Sequence, residues 1–305
     1  MILSHVIKMP DLSKLSIPEK QRHLYLNDEQ IFRELRNEYR RVDDAEDGAR
    51  KGDYVLVETD DGLGVNRTIQ IELYGKAFRE YSDVLAGCRP GQELHASVKG
   101  REILVRVKNV RRPVELPLTD ESITALSIPG VNSLVDYRLK FIKEHGGELL
   151  DRVFRAIQHG LMDQVLGMAE IYLDPAELKA YNEMQLVMVG NISGNADERL
   201  MKAYGDGEKT LEECKQLFFE ENKRMYSLYV WGKDLAAQDG AEPTEADRQE
   251  AIGYYCLVFN TTEEEADLET ALMSYYLKYG IGRIKEYYKS VSDFSAEGIE
   301  NYSLS

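Results

Sequence analysis

The run Val84-Leu-Ala-Gly-Cys-Arg-Pro-Gly-Gln-Glu-Leu-His-Ala-Ser-Val98, the three residues Lys99-Gly100-Arg101, and the run Glu102-Ile-Leu-Val-Arg-Val-Lys-Asn-Val110 decide the fold. Gly87 ends a short helix, Pro90-Gly91 turns the chain, and two alternating strands meet at Lys99-Gly100-Arg101. Residues two apart share a face of a strand, so Leu94, Ala96 and Val98, then Ile103, Val105 and Val107, face a common core. Upstream the alternation continues; downstream the apolar period becomes helical. The hairpin is therefore the last piece of a small sheet and the mount for a helical region.

Working backward, Gly52 to Thr59 reads as a strand, Asp60-Asp61-Gly62 as a turn, and Thr68 to Leu73 as a second strand. Gly75 to Leu85 reads as a short helix with Phe78, Tyr81 and Leu85 on one side, giving about four antiparallel strands crossed by one helix. Pro10 and Pro18 keep residues 1–26 extended, Asn27-Asp28 caps a helix carrying Ile31, Phe32, Leu35 and Tyr39, and Asp43 to Gly48 is a polar boundary. Working forward, Asn132-Ser133 opens a long helix weakened at Gly146-Gly147, and Asp174-Pro175 caps another. Gly190 to Gly207 reads as a loop or broken helix. Thr210 opens the clearest helix, with Leu211, Cys214, Phe218, Met225, Leu228, Gly232 and Leu235 at spacings of three and four. Pro243-Thr244 and Thr262 to Glu265 start two more, the second ending at Gly280 before a last helix with Ile284, Tyr287 and Tyr288. The tail from Asp293 is expected to fray. The expected domains are 1–47, an extended arm and linker helix; 48–113, the sheet; and 114–305, an elongated all-α region. The expected class is α+β.

Composition narrows the function. With 305 residues, 43% apolar and 30% charged, the chain suits two or three globular units, and no run reaches the ~18 apolar residues of a membrane helix. The first ten residues lack a signal-peptide pattern, so a cytoplasmic location with no membrane partner is expected. Residues 1–115 hold 20 Lys+Arg and 20 Asp+Glu; residues 116–305 hold 18 and 34 and carry the whole net charge of −16. Such a surface repels phosphate backbones and argues against nucleic acid as a partner. Cys88, Cys214 and Cys256 and the five histidines never reach ligand spacing, so no metal and no cofactor are expected.

No catalytic residues are expected. Gly62-Leu-Gly-Val-Asn lacks the third glycine and following helix of a phosphate loop, and Glu263-Glu-Glu-Ala-Asp reads as a helix start that complements the macrodipole. The helical region is rich in large side chains instead. Phe218, Phe219, Met225, Tyr226, Tyr229 and Trp231 cover more than one face of their helix, which points to burial all round or to a surface for a partner.

The order of these parts resembles the bacterial trigger factor family of ribosome-associated folding chaperones. The matching stretches are Met9-Pro-Asp-Leu-Ser-Lys-Leu-Ser-Ile17, Leu26-Asn-Asp-Glu-Gln-Ile-Phe-Arg-Glu-Leu-Arg36, Gly52-Asp-Tyr-Val-Leu-Val57, Leu85-Ala-Gly-Cys-Arg-Pro-Gly-Gln-Glu93 and Leu116-Pro-Leu-Thr-Asp-Glu121. The resemblance implies an FKBP-like sheet domain followed by a helical chaperone domain, without the family's ribosome-binding domain. The Gly-Phe-Arg-x-Gly-x-x-Pro signature is absent, so direct ribosome docking is not expected. Three departures bear on prolyl isomerase activity. Thr59 stands where the family pocket has an aromatic residue, Lys76-Ala-Phe-Arg-Glu-Tyr81 replaces an Ile-Pro-Gly-Phe-Glu helix start, and Lys99-Gly100-Arg101 replaces a long flap.

The resulting reading is an ATP-independent chaperone or holdase that binds unfolded or nascent polypeptide through Phe218, Phe219, Met225, Tyr226, Tyr229 and Trp231. A second reading is a residual peptidyl-prolyl isomerase using Phe78 and Tyr81. A third is an interaction module for one dedicated partner or a second copy of the chain.

Overall fold

A computed structural model describes residues 3–60, 66–98 and 100–304. The elements in order are β1 (His5–Lys8), α1 (Glu19–Arg22), β2 (His23–Leu26), α2 (Asp28–Glu38), β3 (Arg41–Asp44), β4 (Tyr54–Asp60), β5 (Asn66–Glu72), α3 (Ser82–Leu85), β6 (Glu93–Val98), β7 (Arg101–Val114), α4 (Asp120–Ala125), α5 (Leu134–Met168), β8 (Glu170–Tyr172), α6 (Pro175–Ser193), α7 (Ala196–Tyr204), α8 (Leu211–Asp239), α9 (Glu245–Phe259), α10 (Leu268–Ala271), α11 (Met273–Ser290), β9 (Asp293–Ala296) and β10 (Ile299–Tyr302). The fold is α+β, a small antiparallel sheet followed by a long helical region. Residues 61–65, with the Asp61-Gly62 turn and most of the Gly62-Leu-Gly-Val-Asn run, and Lys99 lie outside the described residues. Contacts divide the chain into two compact units, one of residues 26–142 and 296–299, the other of residues 1–25, 143–295 and 300–305.

In the first unit the hairpin forms as its alternation requires. Val98 pairs with Arg101 across the turn, Leu94 with Val105 and Ala96 with Ile103. β7 runs for 14 residues and is the spine of the sheet, pairing with β6, then β4, then β3, all antiparallel, while β5 lies on the far side of β4. Val55, Val57, Ile71, Leu73, Ala96, Val105, Val107 and Val110 make the core, closed by Tyr81 and Leu85. β3 arises inside the expected polar boundary. It has no apolar alternation because it is an edge strand, held to β7 by backbone pairing from Arg41 to Asp44, with Asn109 donating to Asp44 at 2.9 Å. The expected Gly75–Leu85 helix is also shorter, reduced to one 3₁₀ turn at Arg79–Tyr81 and the four residues of α3. Tyr74 and Phe78 adopt φ of 63° and 56°, outside the helical region, and the Ser82 hydroxyl accepts from the Tyr74 amide at 2.9 Å instead.

Two buried ion pairs fix this unit. Asp53, 2% exposed, takes two hydrogen bonds from Arg112, which also donates to Asp47 and to the Gly48 carbonyl. Arg138, 5% exposed, grips Asp28 with two bonds of 2.9 Å. Its hydrogen bond holds the Asp28 carboxyl below its ordinary value.

The second unit is built around α8 and α11. Gly232 and Gly280 meet at their crossing: a Cβ on Gly232 would lie 2.1 Å from the Tyr276 carbonyl oxygen, and one on Gly280 would lie 2.8 Å from the Trp231 ring. Gly280 therefore does not end a helix, as its sequence position suggests; α11 runs unbroken from Met273 to Ser290 and Asp267 caps the separate α10. Gly146-Gly147 likewise leaves α5 continuous, because Gly146 makes room for Phe294 and Leu304. Those residues belong to the tail expected to fray, which instead forms β9 and β10 in a three-stranded sheet with β2 and buries Phe294 completely. The glycine-rich span Gly190 to Gly207 holds the end of α6 and all of α7, with Gly194 in the left-handed conformation between them. Thr210 and Thr244 open their helices as expected, each with a capping box.

The N-terminal segment, read as an arm, is stapled into this unit. β1 pairs with β8, Glu177 accepts from the Leu3 amide at 2.6 Å and from the Ser4 amide and hydroxyl at 2.9 and 2.5 Å, and Asp234 accepts from the Val6 amide at 2.6 Å. Burial raises the Glu177 carboxyl, but the hydrogen bonds from Ser4, Leu3 and Tyr226 outweigh it and hold the group below its ordinary value.

Replacing Gly232 by Ala is expected to cost about 3 kcal/mol, at the top of the usual overpacking range, measured by urea unfolding; an unchanged midpoint would show that the helices separate freely. Glu177→Gln is expected to cost roughly 1–2 kcal/mol at pH 7. A carboxyl held below its unfolded value stabilises above that value and loses the effect as pH falls through the folded one. The gap between the two proteins should therefore close as pH drops below 4.5, the ordinary value of the group.

Candidate functional site

The helical unit contains an apolar cleft of about 370 Å³. Large side chains of five helices make its walls, and Thr270 and Ala271 of α10 complete them. α6 supplies Tyr181, Met184 and Met188; α7 supplies Tyr204; α8 supplies Phe218, Glu221, Asn222, Met225 and Tyr229; α9 supplies Tyr254, Tyr255 and Phe259; α11 supplies Met273 and Leu277. None of the 19 residues of α6 is fully buried although Leu186, Val187, Met188, Val189 and Ile192 crowd its second half. Val187 and Ile192 are exposed, as are Tyr254 and Leu257 on α9, the latter at 80%. Apolar residues thus surround both helices instead of forming one buried stripe.

Three of the six aromatic and methionine positions singled out by sequence, Phe218, Met225 and Tyr229, come together in the cleft. They follow one helical face with Asn222, at spacings of four, three and four. The other three do not. Phe219 packs on the cluster of Leu200, Cys214 and Phe218. Tyr226, 2% exposed, turns its hydroxyl to Glu177 at 3.1 Å, and Trp231, 1% exposed, lies against Gly280. Burial at the helix crossing removes Tyr226 and Trp231 from any surface. Met184, Asn222 and Leu277 join the cleft without a sequence signal of their own. Tyr181, Gln185 and Met188 share one face of α6, and that face is turned to the cleft.

Burial dominates the electrostatics of the cleft. Burial pushes the Tyr181 phenol up to about 12, and burial followed by the hydrogen bond to Glu221 does the same for Tyr204. Burial raises Tyr229 as well. These hydroxyls stay protonated at neutral pH and act as donors. The Tyr229 hydroxyl and the Asn222 side-chain nitrogen are buried without a hydrogen-bond partner. Methionine and aromatic walls accommodate apolar side chains of varied shape.

In the sheet unit, Tyr81 belongs to the core and Phe78 lies 42% exposed beside it, rings edge to face at 6.4 Å. Thr59 is 7% exposed, and its hydroxyl donates to the Arg67 carbonyl at 3.4 Å. Among the described residues no helix is long and apolar enough to cross a membrane, and no group of three His, Cys, Asp or Glu side chains comes together.

No protein-family model and no curated protein matches the sequence. The chain is similar to a solved structure of the trigger factor chaperone, studied for promiscuous substrate recognition in folding and assembly activities. The likeness has a TM-score of 0.51 at 16% sequence identity and covers 93% of this chain and 73% of that one, so what the two share is a trigger factor-like fold.

Proposed function

We propose that this protein is an ATP-independent chaperone of the holdase type, which shields unfolded or nascent polypeptide in the cytoplasm through the cleft of its helical unit. The observation that carries the proposal is the cleft itself, lined by methionine and aromatic side chains from five helices in a fold like that of trigger factor. Methionine adapts its shape at little cost, which suits a site that must accept many sequences. Exposed Val187, Ile192 and Leu257 extend the apolar surface beyond the opening. The isomerase reading gains no support from Phe78 and Tyr81, since a prolyl bond needs a dry cradle and Tyr81 is committed to the core.

Stoichiometric amounts should suppress aggregation of a chemically denatured client upon dilution, followed by light scattering. Suppression no better than that of an inert acidic protein of similar size would sink the proposal. In the variant carrying Met184→Glu, Met188→Glu and Met225→Glu, affinity for a fluorescent apolar peptide should fall about tenfold or more, as expected for losing at least one buried side chain's transfer energy. Its melting temperature should stay within a few degrees of the parent, since all three positions are half-buried. Equal affinity in the variant and the parent would remove the cleft from the binding site.

A further inference from the structure

The sheet unit carries a second cavity of different character, about 540 Å³, between the end of α2, the turn before β4 and the last residues of β7. Arg36, Arg40, Arg50, Lys51 and Arg112 line it, against Asp53 and Glu115 as the carboxylates. Two of the five cations are already spent. Arg112 is tied to Asp53 and Asp47, and Arg50 to Asp47 at 2.5 Å, while the Arg50 amide donates to Asp53. The other three, Arg36, Arg40 and Lys51, enter no ion pair among the described residues. Arg40 donates to the Tyr54 hydroxyl at 2.9 Å and stacks over that ring, which fixes its guanidinium without neutralising it. The Arg36 Nε is buried and has no hydrogen-bond partner.

With only Glu115 left to oppose them, these three side chains leave an excess of two positive charges in one cavity of a protein whose net charge is −16. Cations near a helix C-terminus complement its dipole, and Arg36 and Arg40 do so at the end of α2. That accounts for their sign, but it leaves the buried Arg36 Nε without a partner. The cavity is within the ~300–1,000 Å³ typical of small-ligand sites. Its only apolar lining is Pro113 and Val114, which offer no face on which a nucleobase could stack.

We infer that this cavity is a binding site for an oligophosphate anion, in which Arg36 and Arg40 hold adjacent phosphate groups through paired N–H donors and Lys51 closes the site as a mobile charge. Two guanidinium forks and an ammonium match a chain of two or more phosphates better than a single carboxylate, which one guanidinium satisfies. The latch from Arg112 to Asp53 forms part of the wall and holds the turn in place before any ligand arrives. This site is separate from the polypeptide cleft, and its test does not depend on that reading.

Isothermal titration of the full chain with sodium tripolyphosphate, pyrophosphate and orthophosphate at matched ionic strength should show affinity rising with phosphate number. ATP should bind no more tightly than tripolyphosphate, because the cavity does not read a base; markedly tighter binding of ATP would overturn the assignment to the phosphate chain. Arg36→Gln and Arg40→Gln should each weaken tripolyphosphate about tenfold. Lys51→Gln, at an exposed position that cannot disturb folding, should weaken it about threefold. Arg106→Gln, which breaks a pair with Glu93 outside the cavity, should change nothing. Absence of binding, equal binding of citrate, or equal affinity in the Lys51→Gln and Arg40→Gln proteins would each overturn the inference.

Discussion

The helical unit depends on one close approach, the crossing of α8 and α11 at Gly232 and Gly280. With no Cβ on either residue, the Gly232 Cα comes to 3.2 Å from where a Gly280 Cβ would stand, and the Trp231 ring reaches within 2.8 Å of the same point. Backbones this close bury Val230, Trp231 and Ile284 completely and leave no slack for the two helices to slide. Such a fixed pair is what allows the surrounding helices to diverge. α6 and α9 lean on α8 and α11 only at parts of their length, and the space left between them is the apolar cleft. A rigid crossing and an open cleft are therefore consequences of the same packing: side chains large enough to wall a cavity are kept from collapsing into it because the axes that carry them cannot move together.

The sheet unit solves a different problem, a small core with many edges. β7 is long enough to pair with three strands in succession, so a single strand carries much of the sheet's hydrogen bonding. Where the core runs out, polar contacts take over: β3 is held by its backbone ladder with β7, and the turn before β4 by Arg112 with Asp53. Breaking one partner of the latter pair would leave a charge buried, which is why such pairs hold a shape even when they add little net stability. The same clustering of arginines leaves the unsatisfied Arg36 donor and the cationic cavity. The two units thus differ in the character of their cavities, one apolar and in the acidic part of the chain, the other polar and locally positive.

Much of the architecture is written in the sequence. The alternation of Leu94, Ala96, Ile103, Val105 and Val107 determines the β6–β7 hairpin, and Thr210, Thr244, Asn27 and Asp174 mark helix starts through their capping chemistry. These are local signals, each requiring only neighbours within about four residues. The net charge of each half is equally local, since counting residues is enough. Tertiary structure alone decided the meaning of the glycines and the aromatics. Gly146 and Gly280 have the sequence character of helix breakers yet sit within unbroken helices, because what they accommodate is Phe294 and Trp231 from distant parts of the chain. Phe218 and Tyr229 line a cleft while Tyr226 and Trp231, within a few residues of them, are core, because the choice rests on which neighbouring helix approaches each face and which face is left without one. Spacing along the chain gives the faces of a helix, and only the packed neighbours determine what each face meets.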